Sequence, residues 1–183
     1  MRKEEEAFKK AYEQYSDELF RHCSLRLPDR ERALEITQET FVRVWEYIVK
    51  GKGEEIRSFR PFLYRTLHNL IIDEYRKAKT QSLEALVDAE EGESIEALLP
   101  TDNTNTMETA INRFDGNMVL EKLQGLPDLY REVLVMRYVE SLSLKEIAEA
   151  LDERENAISV RIHRGLKKLR SLMEEHGGME LKS

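Results

Sequence analysis

Cysteine, proline and glycine are all scarce in this chain, and each shortage removes a class of protein. A single cysteine, Cys23, stands among 183 residues. No internal disulfide can staple the fold, and a reducing, cytoplasmic setting is expected. The neighbouring His22 does not turn Cys23 into a metal site, because two adjacent ligands without further cysteines cannot enclose an ion. Cys23 is expected to be a buried structural thiol. Four prolines and eight glycines are too few for the many turns of a sandwich or barrel. Together with 36% charged residues they fit helices with wide solvated faces. No apolar run approaches the length of a membrane span, and residues 1–6 have no apolar segment behind them of the kind a secretory signal carries. The four histidines, His22, His68, His163 and His176, are scattered, and no P-loop or nucleophile–base constellation occurs. A non-enzyme without metal or cofactor is expected.

One further absence is local. Between Gln81 and Asn112 there is no lysine or arginine, while Glu84, Asp88, Glu90, Glu91, Glu93, Glu96, Asp102 and Glu108 are all acidic. The chain carries a net charge of −7, yet outside this stretch it holds 29 basic and 28 acidic residues. The acidity belongs to one segment, and the remainder can carry basic faces. That segment is interrupted by Pro100 and rich in Thr and Asn at 101–106. It reads as a flexible acidic linker over 80–113.

What remains is helical by its periodicity. Phe8, Tyr12, Tyr15, Leu19 and Cys23 recur at three- and four-residue steps, which predicts a helix over 3–26. Pro28 breaks it, and Asp29 can cap a second helix over about 30–50. On that helix Leu34, Thr37, Phe41, Val44, Trp45 and Ile48 are expected to face the core. A third helix runs from near Ser58 to about Lys79, with Phe62, Leu63, Leu67, Leu70 and Ile71 inward. Helical pattern returns at 114–124, and Pro127 can start the next helix. Ser143 and Glu146 stand in capping-box spacing ahead of an apolar face of Leu144, Ile147, Ala148 and Leu151. A turn at 152–155 precedes a last helix over about 156–175. The fold class is all-α: two small helical domains, 1–79 and 114–178, on either side of the linker, with a short tail at 179–183.

A short helix, a four-residue turn and a longer basic helix outline a helix-turn-helix. At about 100° per residue, Ile158, Ile162, Gly165, Leu166 and Leu169 fall on one stripe of the last helix. Ala157, Val160, Arg164, Lys167 and Lys168 fall opposite, with Arg161 at the edge. The stripe suits packing on a partner helix, and Gly165 would let that partner approach closely. The opposite face presents cations and no acid, as phosphates and base edges in a major groove require.

Leu126-Pro-Asp-Leu-Tyr-Arg-Glu-Val-Leu134, Arg137-Tyr-Val-Glu-Ser-Leu-Ser-Leu-Lys-Glu-Ile-Ala148 and Arg161-Ile-His-Arg-Gly-Leu-Lys-Lys-Leu-Arg170 resemble region four of the extracytoplasmic-function (ECF) sigma factors, of the sigma-seventy family of bacterial RNA polymerase. Ala33-Leu-Glu-Ile-Thr-Gln-Glu-Thr-Phe-Val-Arg-Val-Trp45 and Phe59-Arg-Pro-Phe-Leu-Tyr-Arg-Thr-Leu-His-Asn-Leu-Ile-Ile-Asp-Glu-Tyr-Arg76 resemble their region two. Two blocks in this order, separated by a linker, cover most of the chain. The resemblance implies an alternative sigma factor whose partners are core RNA polymerase and promoter DNA, as duplex and as non-template single strand. Such factors commonly have an anti-sigma protein as well.

The same resemblance implies roles for particular residues. Glu35, Gln38, Glu39 and Val42 correspond to the contact with the clamp helices of the polymerase's largest subunit. Arg60, Tyr64, Arg65, His68, Asn69, Tyr75, Arg76 and Lys77 lie on the helix that captures unstacked bases of the minus-ten element. Asp73 also matches, with an ion pair to Arg76 or Lys77 as its structural reading. Asn156, Ala157, Ser159, Val160, Arg161, Arg164, Lys167 and Lys168 lie on the recognition helix. The linker would run through the polymerase cleft toward the RNA exit path.

The chain also departs from the family. The usual glycine in the helix-turn-helix turn is Asp152, a residue that tolerates a left-handed backbone better than most. Ala157, Ser159 and Val160 stand in place of a threonine, a lysine and a serine, which alters the readout. Glu35 replaces an aspartate and His68 an arginine. Two other readings stand beside the sigma factor: a stand-alone helix-turn-helix regulator, and a sigma-derived protein that recruits polymerase with weak sequence readout.

Overall fold

The computed structural model describes residues 2–50, 56–83 and 116–180. Every regular element among them is helical: α1 (Arg2–Arg26), α2 (Arg30–Val49), α3 (Phe59–Leu83), α4 (Gly116–Gln124), α5 (Asp128–Leu134), a π turn (Val135–Val139), α6 (Leu144–Leu151) and α7 (Glu155–Glu180). One compact unit carries α1–α3, and a second carries α4, α5, the π turn, most of α6, and α7. Among the described residues no helix is long and apolar enough to cross a membrane. The acidic linker, from residue 84 onward, lies outside the described residues.

Two helices outlast their expected ends. α3 continues past Lys79 to Leu83, and α7 continues past Glu175 to Glu180. Neither stretch holds a proline, and extending an existing helix fixes one residue for each hydrogen bond gained.

The first unit is a three-helix core of Leu19, Cys23, Leu27, Ala33, Ile36, Phe41, Val44, Leu63, Leu67, Leu70 and Ile71. Phe8 packs on Phe41 and Trp45, with ring centroids 6.2 and 5.1 Å apart, and so closes one end. Tyr12 is 51% exposed, and only its ring edge rests on Phe41. Leu34, expected to face the core, is instead 45% exposed. The inward row of α2 is instead Ala33, Ile36, Thr37, Thr40, Phe41 and Val44. At about 100° per residue Leu34 falls on the shoulder of that row. The threonines can be buried because their hydroxyls donate to the carbonyls one turn back, Thr37 to Ala33 at 2.7 Å and Thr40 to Ile36 at 2.8 Å. Asp29 caps α2, accepting from the amides of Glu31 and Arg32.

Cys23 is fully buried, and desolvation pushes its thiol up to about 11. His22 beside it is buried edge-on to Tyr64. Desolvation first, then the charges of Arg26 and His68, hold its imidazole well below the ordinary value, so it packs as a neutral ring.

Polar ties fix α3 against its neighbours. Glu18 on α1 accepts from Arg60 Nε at 2.8 Å and from the Tyr64 hydroxyl at 2.9 Å. Further along, the Tyr75 hydroxyl donates to the Arg26 carbonyl at 2.8 Å. Arg32 on α2 grips Glu74 with Nε and Nη2 at 2.8 and 2.7 Å. That fork, chiefly through its hydrogen bonds, holds the Glu74 carboxyl below its usual range. A depressed carboxylate contributes stability that is present above its unfolded pKa and lost as pH falls through the folded one. Glu74→Gln is therefore expected to cost about 1 kcal/mol at neutral pH. In urea titrations the deficit against wild type should close as pH falls below the carboxylate range.

Candidate nucleic-acid interface

Burial of one side of each helix decides what the other side offers. On α2 the outward row is Glu35, Gln38 and Val42, with Val42 54% and Val49 58% exposed. Glu39 is half-buried and accepts from Arg43 Nε and Nη2 at 3.0 and 2.7 Å. Glu35 accepts from Arg32 at 2.7 Å, so the same arginine touches both the outer face of α2 and Glu74 on α3. The surface is mixed: acids and a glutamine around exposed Leu34, Val42 and Val49. Sequence reasoning placed Leu34 inside and did not single out Val49. Tracing the helical wheel from Ala33 rather than from Leu34 would have found both. Trp45 is half-buried on Phe8.

The residues of α3 named from the sequence separate into two rows. Arg65, Asn69 and Arg76 share an outward row at steps of four and seven residues, with Lys77 also exposed. Asp73 lies in the same row, 3.7 Å from Arg76. Arg60, Tyr64 and Tyr75 turn toward α1 and are held by Glu18 and the Arg26 carbonyl. Tyr64 is 0% exposed, which corrects its placement among base-capturing groups: its ring belongs to the core. Tyr75 is half-buried, with the Arg26 guanidinium 5.8 Å from its ring centre. His68 is half-buried between the rows.

In the second unit the helix-turn-helix is built from local rules. Arg131 on α5 donates to the carbonyls of Leu123, Gln124 and Leu126, so the end of α4 has partners and the two helices are fastened together. The π turn then carries Val135 and Met136 into the core, a feature that no sequence signal foretold. Ser141, at φ 56°, turns the chain, and Arg137 donates to the Leu142 carbonyl at 2.9 Å. The expected capping box is present: the Ser143 amide donates to Glu146 at 2.8 Å, and the Glu146 amide donates to Ser143 Oγ at 3.2 Å. Asp152 takes the left-handed φ of 56°, and the Glu153 amide reaches back to the Ala148 carbonyl at 2.9 Å. That is a Schellman closure of α6.

On α7 the stripe of Ile158, Ile162, Gly165, Leu166 and Leu169 is buried throughout. A Cβ at Gly165 would stand 3.2 Å from Tyr130 Cβ and 3.3 Å from Leu134 Cγ and Cδ1, so α5 packs against bare backbone there. Outward lie Asn156, Ala157, Lys167 and Lys168, all exposed, with Ser159, Val160 and Arg164 partly so. The Lys168 ammonium sits 5.6 Å from the centre of the Tyr130 ring. Arg161 is different: its Nη2 donates to both oxygens of Glu153 at 2.6 Å, and its side chain is 12% exposed.

With this geometry in place, comparison with known proteins gives one answer. Residues 11–81 match the family described as Sigma-70 region 2, and residues 116–169 match Sigma-70, region 4. The ECF RNA polymerase sigma factor SigW of Bacillus subtilis is 32% identical over 173 residues, covering 94% of this chain and 91% of SigW. The ECF RNA polymerase sigma factor SigL of Mycobacterium tuberculosis is 25% identical over 166 residues, covering 91% and 88%. Among solved structures, the sigma factor RpoE in complex with the anti-sigma factor NepR from Bartonella quintana is similar at TM-score 0.66 and 16% identity, covering 92% of this chain and 97% of that one. CnrH in complex with the cytosolic domain of CnrY is similar at TM-score 0.63 and 23% identity, covering 93% and 90%. The chain belongs to the extracytoplasmic-function sigma factors of the sigma-70 family. It is an alternative sigma factor, which directs promoter recognition with RNA polymerase.

The bare approach at Gly165 gives a direct check on the helix-turn-helix packing. Gly165→Leu is expected to cost about 1–3 kcal/mol by overpacking against α5. Thermal unfolding of the full chain should show the loss.

Proposed function

We infer that this sigma factor works through three surfaces, one for each partner. Residues 1–79 bind core polymerase through the outward face of α2, where Glu35, Gln38, Glu39 and Val42 dock on the clamp helices of the largest subunit. The same domain captures the melted minus-ten strand with the outward row of α3. Residues 114–178 place α7 on duplex DNA upstream, with Arg164, Lys167 and Lys168 meeting phosphates and Asn156, Ala157, Ser159 and Val160 nearest the base edges. The linker over 80–113 threads the polymerase cleft, where its negative charge occupies a path made for nucleic acid. The protein performs no chemistry itself, since bond formation belongs to the polymerase, and it acts in the cytoplasm. An anti-sigma protein that covers the polymerase-binding surface is a further expected partner.

The observation that carries this reading is the separation of α3 into two rows. Strand capture needs polar groups that can reach unstacked bases and phosphates, and the outward row of Arg65, Asn69, Arg76 and Lys77 supplies them. Arg60, Tyr64 and Tyr75 act from behind, holding that row in its orientation through Glu18 and the Arg26 carbonyl. Capturing a base requires unstacking it, at a cost of a few kcal/mol, and a row already held in place loses less entropy on binding.

Reconstitution with core polymerase on a selected promoter library tests the assignment. Wild type should bind core and give run-off transcripts. Glu35→Arg should weaken core binding by about tenfold, equivalent to about 1.4 kcal/mol. If the chain instead binds duplex operators tightly alone, and neither binds core nor yields a transcript, it is a stand-alone regulator.

A further inference from the structure

The acid at the tip of the helix-turn-helix has no part in the surfaces described above. Glu153 follows the left-handed Asp152 and lies just ahead of α7. Both of its oxygens accept from Nη2 of Arg161 at 2.6 Å, and the two side chains are only 32% and 12% exposed. Among the described residues, Arg164, Lys167 and Lys168, the other cations of that face, are not held by a carboxylate. Arg161 alone arrives at DNA already neutralised.

A carboxylate and a phosphate present the same pair of oxygens to a guanidinium. We propose that Glu153 is a specificity-determining residue that competes with DNA for Arg161. To reach a phosphate or a base edge, Arg161 must leave Glu153 or carry a negative charge up to the phosphates. Either route weakens duplex binding on every sequence. Only a site that returns the lost hydrogen bonds offsets the cost, as guanine does by offering O6 and N7 to an arginine fork. Glu153 thereby suppresses non-specific duplex binding more than binding to the correct upstream element. The recognition helix then engages DNA chiefly when polymerase holds the two together at high effective concentration. This inference rests on the reading that α7 meets duplex DNA, and the experiment separates the two.

Holoenzyme is assembled with wild type, Glu153→Gln, Glu153→Ala, Arg161→Ala, Glu153→Gln/Arg161→Ala and Lys167→Ala. Each is titrated with a promoter duplex and with one whose upstream element is scrambled, over a salt series. Both neutral variants at 153 should tighten the scrambled duplex about fivefold. They should also steepen the dependence of log K on log salt by about 0.9, one phosphate's worth. The promoter duplex should gain less, so discrimination falls. Arg161→Ala should weaken the promoter duplex more than the scrambled one, and should abolish the gain that Glu153→Gln makes on the scrambled duplex. If neutralising Glu153 weakens binding, or leaves the salt slope unchanged, Glu153 only braces the turn and the proposal is wrong. Lys167→Ala reports on the underlying reading: it weakens both duplexes if α7 meets DNA. If it does nothing, that reading fails and takes the proposal with it.

Discussion

The rotation of α3 about its own axis is the constraint on which the first unit depends. Apolar packing alone would tolerate a turn of the helix by part of a residue, since Leu63, Leu67, Leu70 and Ile71 are similar in size. The polar ties would not. Glu18 takes Arg60 and Tyr64 at one end, the Arg26 carbonyl takes Tyr75 at the other, and Arg32 grips Glu74 from α2. A slip of one residue would rotate the helix by about 100° and break all of them together. What they preserve is the outward position of Arg65, Asn69 and Arg76. Interior hydrogen bonds thus determine which side chains of α3 face outward.

The second unit solves a similar problem with backbone devices. The capping box at Ser143 and Glu146 starts α6, the Schellman closure at Asp152 ends it, and Gly165 admits α5 against α7. Each device sets a chain direction and needs few side-chain contacts, so the outer face of α7 can vary without harm to the fold. That freedom is where this chain carries Ala157, Ser159 and Val160 and, at the preceding turn, Glu153.

Much of this was legible in the sequence, for identifiable reasons. Among the described residues, periodicity and chain breakers located each α-helix, the stripe of α7 and the bare approach at Gly165, because burial repeats with the helical period. The capping box and the left-handed Asp152 followed from rules that act within a few residues. The failures were of two kinds. Leu34 sits on the shoulder of its helical wheel, where composition does not say which edge a neighbouring helix will cover. Tyr64 and the π turn depend on contacts distant in sequence: Tyr64 is drawn inward by Glu18, 46 residues away. A tyrosine beside arginines on this helix looks like a stacking platform until its partner on α1 is known.

Promoter opening distinguishes the outward row of α3 from the buried one. Holoenzyme is assembled with wild type, Asn69→Ala or Tyr64→Phe, and opening of the minus-ten segment is followed by permanganate reactivity of its thymines. Asn69→Ala removes an exposed polar group and should abolish most of the reactivity while leaving thermal stability unchanged. Tyr64→Phe keeps the buried ring and loses one hydrogen bond to Glu18, at a cost of about 1 kcal/mol. It should lower the unfolding temperature yet leave opening close to wild type below that temperature. Normal opening by Asn69→Ala, with opening lost in a folded Tyr64→Phe protein, would contradict the account.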